Sequence, residues 1–392
     1  MEGFVYPNEL EVQWSLLIVL YPYITGLVAG AFIISSLYHV FGIARLKPVA
    51  RLSLVTALAF LLVAPLPLLL HLGRPERAFE IFLTPNLRSA MSGFGYIWLL
   101  YLILLLLEVW LVFRKDIVES ARTSTGLKRI IYGTLALGVY DVSEESLSVD
   151  HKLTKILAAI GIPGACLLHG YVGFIFGAIK ANPWWSTPLM PVIFLLSAIV
   201  SGIALLIVVY VVAATLTRRP LDHDCIASLA SWLLGFLVID VVLEGLEVIV
   251  RMYESEESWG LIHQLITQKI SFTYFGLQLG LGALMPLIIL GTIGFMRFSP
   301  QVRSAFRVMA SGLILVGVFA MRWNVVIGGQ LFSKSLRGFT QYTPQIRGQE
   351  GVLTAAGLLA LPFIILALEA WLVPIWPEKP ARIIPPWGGE LT

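Results

Sequence analysis

The chain has 392 residues, 58% of them hydrophobic and only 13% charged, with a formal net charge of +3. An ordinary soluble domain carries about 25% charged residues, so a soluble, disordered or fibrous protein is excluded, and so small a net charge gives no reason to expect nucleic acid as a partner. The apolar residues fall in runs that exceed the ~20 needed to cross a ~30 Å hydrocarbon core as a helix, without the ~10-residue alternating segments of a membrane barrel.

Nine spans are predicted in chain order, over 14–43, 49–72, 93–114, 153–180, 188–216, 225–252, 272–297, 304–330 and 353–376. The fold class is therefore an all-α polytopic membrane protein. The first run follows Glu2, Glu9 and Glu11 with no Lys or Arg. A cleavable signal begins basic, so this run reads as a retained helix. Between spans three and four lies the longest loop, 114–152. It is expected to form a cytoplasmic cap with partner contacts. Within it the apolar stretch Ile130 to Tyr140 is too short to span, and so lies at the interface or re-enters. The first eight spans divide into two four-helix bundles, over 1–183 and 184–331. Residues 332–392 supply an outer loop, the added ninth span and a cytoplasmic tail.

Lys and Arg set the orientation. Of the 27, the side that holds the N-terminus has 10 and the other side 17. The N-terminus is therefore expected outside and the C-terminus inside a cytoplasmic membrane. The outer arginines concentrate in 74–88 and 322–347.

Ionisable groups inside a bilayer are costly, so each is a functional candidate. Span six carries Asp240, Glu244, Glu247 and Arg251. Spacings of four, three and four put them on one helical face, climbing about 16 Å toward the outer surface. A stripe of three acids faces protein or water, as a proton path or as a structural network. Arg322 in span eight lies at comparable depth and reads as its counter-ion. Asn324 and Gln330 add hydrogen-bonding capacity for a carbonyl-bearing ligand. His71 and Arg74 sit where Gly73 and Pro75 end span two, at the outer boundary, and a histidine there can exchange a proton near pH 7. His169 lies deeper in span four. Glu108, Glu369 and His39 are isolated in the inner half, where a structural role near the interface competes with a half-path for protons.

A bis-histidine haem needs two histidines at matching depth, and His71 and His169 do not match. Two cysteines, Cys166 and Cys225, cannot hold an iron–sulfur cluster, which takes four ligands. Neither group is expected in this chain, nor is any other metal.

The run HLGRPER at 71–77, SAMSGFGYIW at 89–98 and RWNVVIGGQ at 322–330 resemble the NrfD/PsrC family of polysulfide reductase membrane subunits, most closely the DsrP/Hme-type subunits of DsrMKJOP complexes. The resemblance implies two four-helix bundles, no resident redox cofactor and an exchangeable menaquinone. It implies a docked extracytoplasmic, ferredoxin-like iron–sulfur subunit. It also implies further subunits of a membrane redox complex, cytochrome b-like and cytochrome c subunits among them. His71 and Arg74 match the family's loop near the quinone, and Arg322 matches the arginine of the second-bundle motif. Short members place an Asn and a His in the first span, where this chain has Tyr21, Tyr23 and Thr25. The expected quinone contacts are thus His71, Arg74, Tyr21, Thr25 and His169. Asp240, Glu244, Glu247, Arg322, Asn324 and Glu108 form the expected proton path or polar network. The expected function is electron exchange between menaquinone or menaquinol and the iron–sulfur partner in sulfur-compound metabolism. The rival expectations are an ion-coupled transporter, which requires broken helices at corresponding positions of both halves, and an anchor without its own quinone site.

Overall fold

The fold is that of a computed structural model, which describes residues 2–4, 12–86, 88–253 and 258–376. Glu9, Glu11, Lys379 and Arg382 of the sequence analysis lie outside the described residues. Nine helices there are long and apolar enough to cross a membrane: Leu16–His39, Ala44–His71, Ala90–Thr123, Glu144–Gly177, Met190–Leu216, His223–Tyr253, Phe272–Ile293, Pro300–Gly328 and Val352–Leu372. Serine hydroxyls begin several of them. Ser15 accepts from the Leu17 N–H, Ser89 from Ser92, Ser143 from Ser146 and Ser299 from Val302. Each satisfies an amide that the helix cannot.

Spans three and four run to 34 residues each, longer than their apolar cores. The expected loop 114–152 is therefore mostly helix. The charged ends extend beyond the hydrocarbon because they are paired there. Arg114 is 1% exposed and its guanidinium donates to Asp150 (2.7 Å), Ser146 (2.8 Å) and the Asp141 carbonyl. Arg51 bridges to Asp116 at 3.1 Å. Between the two extensions lies an amphipathic helix, Gly126–Leu135, tied by Tyr132 to the Leu372 carbonyl and by its Leu135 carbonyl to Trp110. Its short length and its place at the ends of spans three and nine make it a surface helix.

Spans one, two, three and four pack in a ring, each against the next, and four against one. Spans five, six, seven and eight form a second ring. The rings share a wall in which span one packs on span five, with four and eight alongside, and span nine lies outside on span two. Hence span one is almost wholly buried, while three and nine keep most of their surface outward. With no water to expel, helices in lipid associate through close packing, which small residues permit. Gly30 and Gly202 bring the backbones of spans one and five into contact, and Gly282 and Gly317 do so for seven and eight. A Cβ at any of these four positions meets backbone.

Three helices depart from α geometry. Span two breaks at Ala64–Pro65 and resumes as Leu66–His71. Pro65 and Pro67 remove two N–H donors there. Span seven is a π-helix over Phe272–Leu284 before turning α, and span eight becomes π over Asn324–Gly328. Such wide turns are uncommon and gather at functional sites.

On the N-terminal face, residues 330–351 cross from the second ring to the first. Gln330 accepts from the Trp14 N–H (2.8 Å) and donates to the Trp14 carbonyl (3.2 Å). Strand Glu2–Phe4 pairs antiparallel with Arg337–Phe339. Gln349 donates to the Leu70 carbonyl at 2.6 Å.

Candidate functional site

The candidate residues separate into three places. At the N-terminal face, His71 ends span two with Nδ1 3.1 Å from a Glu350 oxygen. Arg74 is exposed in the following loop, and no hydrogen bond or ion pair holds its side chain among the described residues. The loop is fixed instead by Arg77, whose guanidinium donates two 2.8 Å bonds to the Glu80 carboxylate. That bidentate bond holds the Glu80 carboxyl below its ordinary value of 4.5.

Tyr21 lies about 8 Å inside span one, at 1.5 Å per residue from its start. It is 2% exposed, edge-on to Phe94 with ring centres 5.2 Å apart, and its hydroxyl has no hydrogen-bond partner among the described residues. Tyr171 reaches the same level from span four, its hydroxyl against Gly93. Thr25 does not join them, contrary to expectation. Its hydroxyl donates to the Tyr21 carbonyl one turn earlier, the local bond that a helical threonine makes when no better partner is near.

His169 and Arg322 form the second place, in the wall between the rings. Arg322 is fully buried. It donates to Ser197 (2.7 Å), to the Phe194 carbonyl (3.3 Å) and to His169 Nε2 (2.9 Å), and lies 3.9 Å over the Phe194 ring. A guanidinium only donates, so Nε2 carries the lone pair and His169 Nδ1 the proton. His169 stacks on Phe194 and packs against Gly26, where a side chain would displace it. The sequence expectation paired Arg322 with the span-six acids. Among the described residues no carboxylate lies within 4.0 Å of it, so its direct partners are on spans four and five, while Asp240 and Glu244 act on it only through space. His169 is thereby bound to Arg322 and stands apart from His71, with which the sequence grouped it.

The third place is in the second ring. Glu244 accepts from Gln278 (2.9 Å), whose Oε1 accepts from Asn324 (2.8 Å), and Asn324 in turn accepts from Thr273. Glu247 pairs with Arg251 at 2.8 Å, and Arg251 also donates to the Pro183 and Ser186 carbonyls. Asp240, one turn further in, is buried with one oxygen unpartnered. Glu244, Glu247, Arg251, Gln278 and Asn324 line a half-open cavity of about 550 Å³ of empty space, mouth included, together with Trp184, Trp259 and Tyr274. Gln330, expected at a ligand, instead clasps Trp14. Glu108 is fully buried in span three, and among the described residues neither of its oxygens nor the nearby Tyr101 hydroxyl has a hydrogen-bond partner. The described residues contain no cluster of three or more metal-ligating side chains.

Gln278, Thr273, Ser197 and the three cavity aromatics were missed from sequence. Gln278 could have been found, as an amide inside an apolar run. The others look like ordinary span residues until the helices are brought together.

Nine apolar helices among the described residues, with polar clusters buried between them, make this a multi-pass membrane protein. Its sequence belongs to the polysulphide reductase NrfD family, whose profile matches residues 6–334. The chain is 27% identical over 383 residues to the C subunit of selenate reductase from Mesobacillus selenatarsenatis, covering 94% of this chain and 87% of that one. It is 31% identical to a putative dimethyl sulfoxide reductase membrane protein, the C subunit, of Halobacterium salinarum, covering 80% and 70%. It is 24% identical to the Hdr-like menaquinol oxidoreductase integral membrane subunit of Archaeoglobus fulgidus, covering 94% and 86%.

Proposed function

We propose that this chain is the quinone-interacting membrane subunit of a respiratory reductase complex. It exchanges electrons between a menaquinone-type quinone and an extracytoplasmic, ferredoxin-like iron–sulfur subunit, in a complex that acts on sulfur compounds or related oxyanions. The kinds of protein it is similar to, reductase subunits and a menaquinol oxidoreductase subunit, support this reading. The Lys and Arg bias supports placing the N-terminal face, with the HLGRP loop, outside.

The observation that carries the site is the Tyr21 hydroxyl. A buried hydroxyl without a partner is costly, and it suits a ligand that brings a carbonyl oxygen. Phe94 offers a ring face or edge at the same level, and Tyr171 a second hydroxyl. A bound quinone supplies two-electron, two-proton chemistry. The chain's own part is to orient the head group with Tyr21, to hold the rim with His71 and Glu350, and to move a proton at His71 Nε2, which faces away from Glu350. Arg74 is free to meet the partner subunit. Asp240, Glu244, Glu247 and Glu108 serve as proton-exchanging groups or as structural polar contacts.

The transporter reading gains little from the helix breaks. They fall in spans two, seven and eight, and span two corresponds to neither of the other two in the second ring.

Quinol-analogue oxidation by the purified complex, with the partner clusters read by EPR, tests the proposal. Tyr21→Phe removes one hydrogen bond and is expected to lower quinol turnover about tenfold, with assembly intact. His71→Ala is expected to abolish cluster reduction. Unchanged cluster reduction in both variants overturns this site and puts the quinone chemistry in the second ring or in another subunit, the latter leaving the chain as an anchor.

A further inference from the structure

The cavity in the second ring has no part in the proposed Tyr21 site, and its construction is that of a ligand site. Its empty space of about 550 Å³ includes the open mouth. One wall is aromatic, with Trp184 and Tyr274 edge-to-face at 6.3 Å, and Trp259 stands nearby. Beside it are Glu244, Gln278 and Asn324, joined by hydrogen bonds of 2.9 and 2.8 Å, and the Trp184 indole donates to the Asn324 carbonyl at 2.9 Å. Met190, Ile193, Met321 and Val325 close the base.

The walls open toward lipid. Spans six and seven pack along their inner parts, where Met285–Ile293 meets span six. Their other halves diverge, bridged by the Glu244–Gln278 bond. The π-helical stretch of span seven, Phe272–Leu284, lies at this divergence. Around the gap, Leu246, Ile249, Val250, Phe272 and Phe275 are exposed. In a membrane span, exposed apolar side chains face acyl chains. A ligand entering here therefore arrives from the bilayer, with an apolar tail left in the gap.

The walls select its head. Aromatic faces take a planar ring. An amide pair with a carboxyl at its end offers both a donor and an acceptor to a ring oxygen, whether that oxygen is a carbonyl or a hydroxyl. The ion pair Glu247–Arg251 closes the site toward the N-terminal face. A phospholipid has the tail but not the planar head.

We infer that the second ring holds a second binding site for a quinone-class ligand, entered between spans six and seven and separate from the Tyr21 site. The inference rests on the reading that the complex handles quinone. Arg322 separates the two sites: Met321 and Asn324 line the cavity, whereas the Arg322 side chain between them turns to His169.

The test is photolabelling of the whole complex in lipid nanodiscs with an azido-naphthoquinone, the labelled peptides being mapped by mass spectrometry. Labels are expected both near Tyr21–Phe94 and within 259–278, each displaced by excess menaquinone. In Gln278→Leu, labelling of 259–278 is expected to fall about tenfold, the effect of losing one buried hydrogen bond, while labelling near Tyr21 persists. The wild-type map stands as the test if that variant does not assemble. Labelling near Tyr21 without labelling in 259–278 overturns the second site and leaves the proposed function standing. Labelling of 259–278 that menaquinone fails to displace also overturns it, and points to lipid. Labelling of neither site overturns the quinone reading as a whole.

Discussion

Arg322 is a full positive charge surrounded by a histidine, a hydroxyl, a carbonyl and an aromatic face, with Asp240 and Glu244 acting on it through space and no carboxylate in direct contact among the described residues. Its Nε has no partner there at all. Such a charge is retained against a large desolvation cost. Its Nη2 gathers the His169, Ser197 and Phe194 acceptors, while Nη1 reaches the Met321 sulfur and the guanidinium lies over the Phe194 ring. Lysine has the charge but neither the second nitrogen nor the plane. Arg322→Lys is therefore expected to keep the fold and to lower quinol turnover by at least about tenfold, since each bond from a charged donor contributes about 1.5–3 kcal/mol. Turnover of the assembled complex checks this. The opposite outcome is expected at Thr25. Its hydroxyl is occupied by its own helix, so Thr25→Ala should leave the KM for quinol unchanged. The difference between these two residues was not legible in the sequence. Arg322 and His169 lie 153 positions apart, and nothing in either motif says which way a guanidinium will turn. Thr25 is a candidate by its position in span one, and position alone does not show that a local backbone carbonyl already holds the hydroxyl. The acid stripe fared better, because helical spacing dictates a shared face whatever the neighbours are.

Helix contacts here are decided by the absence of side chains. At Gly30 an added methyl would meet the Ala198 carbonyl and the Gly202 backbone. Gly30→Ala is thus expected to destabilise the protein by about 1–3 kcal/mol, the usual cost of overpacking. Gly245→Ala, where nothing lies within 4 Å, should be neutral. Thermal unfolding in detergent compares the two. The short helix after span two makes a different prediction. Its Arg77–Glu80 pair depresses the Glu80 carboxyl. A depressed acid contributes stability above its unfolded value of 4.5, and that contribution is lost as pH falls through the lower folded value. Hydrogen exchange of Glu80–Leu83, corrected for intrinsic rates, should be flat above about pH 5 and rise in more acid solution. Glu80→Gln should remove that dependence. Of the elements, the nine spans were legible to within a few residues where apolar runs end in Pro, Gly or caps. Spans three and four were not, because their ends are charged residues held in helix by partners such as Asp150, which hydropathy does not see.

For the whole molecule, the two rings share a wall made by spans one and five, so these are the most buried helices, a ranking that hydropathy does not give, since spans three and nine are at least as apolar as span one and face outward. The orientation proposed from charge is testable with single cysteines in a background lacking Cys166 and Cys225. Gly348→Cys should react with an impermeant thiol reagent from outside, and Gly138→Cys only from the cytoplasmic side. The reverse pattern would place the HLGRP loop, and any subunit docked on it, in the cytoplasm. The cavity was not readable in the sequence, since it depends on two helices failing to meet.

The crossing of residues 330–351 has a consequence for biogenesis. Glu350 and Gln349 complete the rim of the first ring by holding His71 and the Leu70 carbonyl, yet they leave the ribosome almost 280 residues after the segment they hold. The first four spans can enter the membrane long before that rim exists. A partner that recognises the finished rim must therefore wait for nearly the whole chain to be translated, so that no truncated product of an interrupted synthesis can capture a redox subunit.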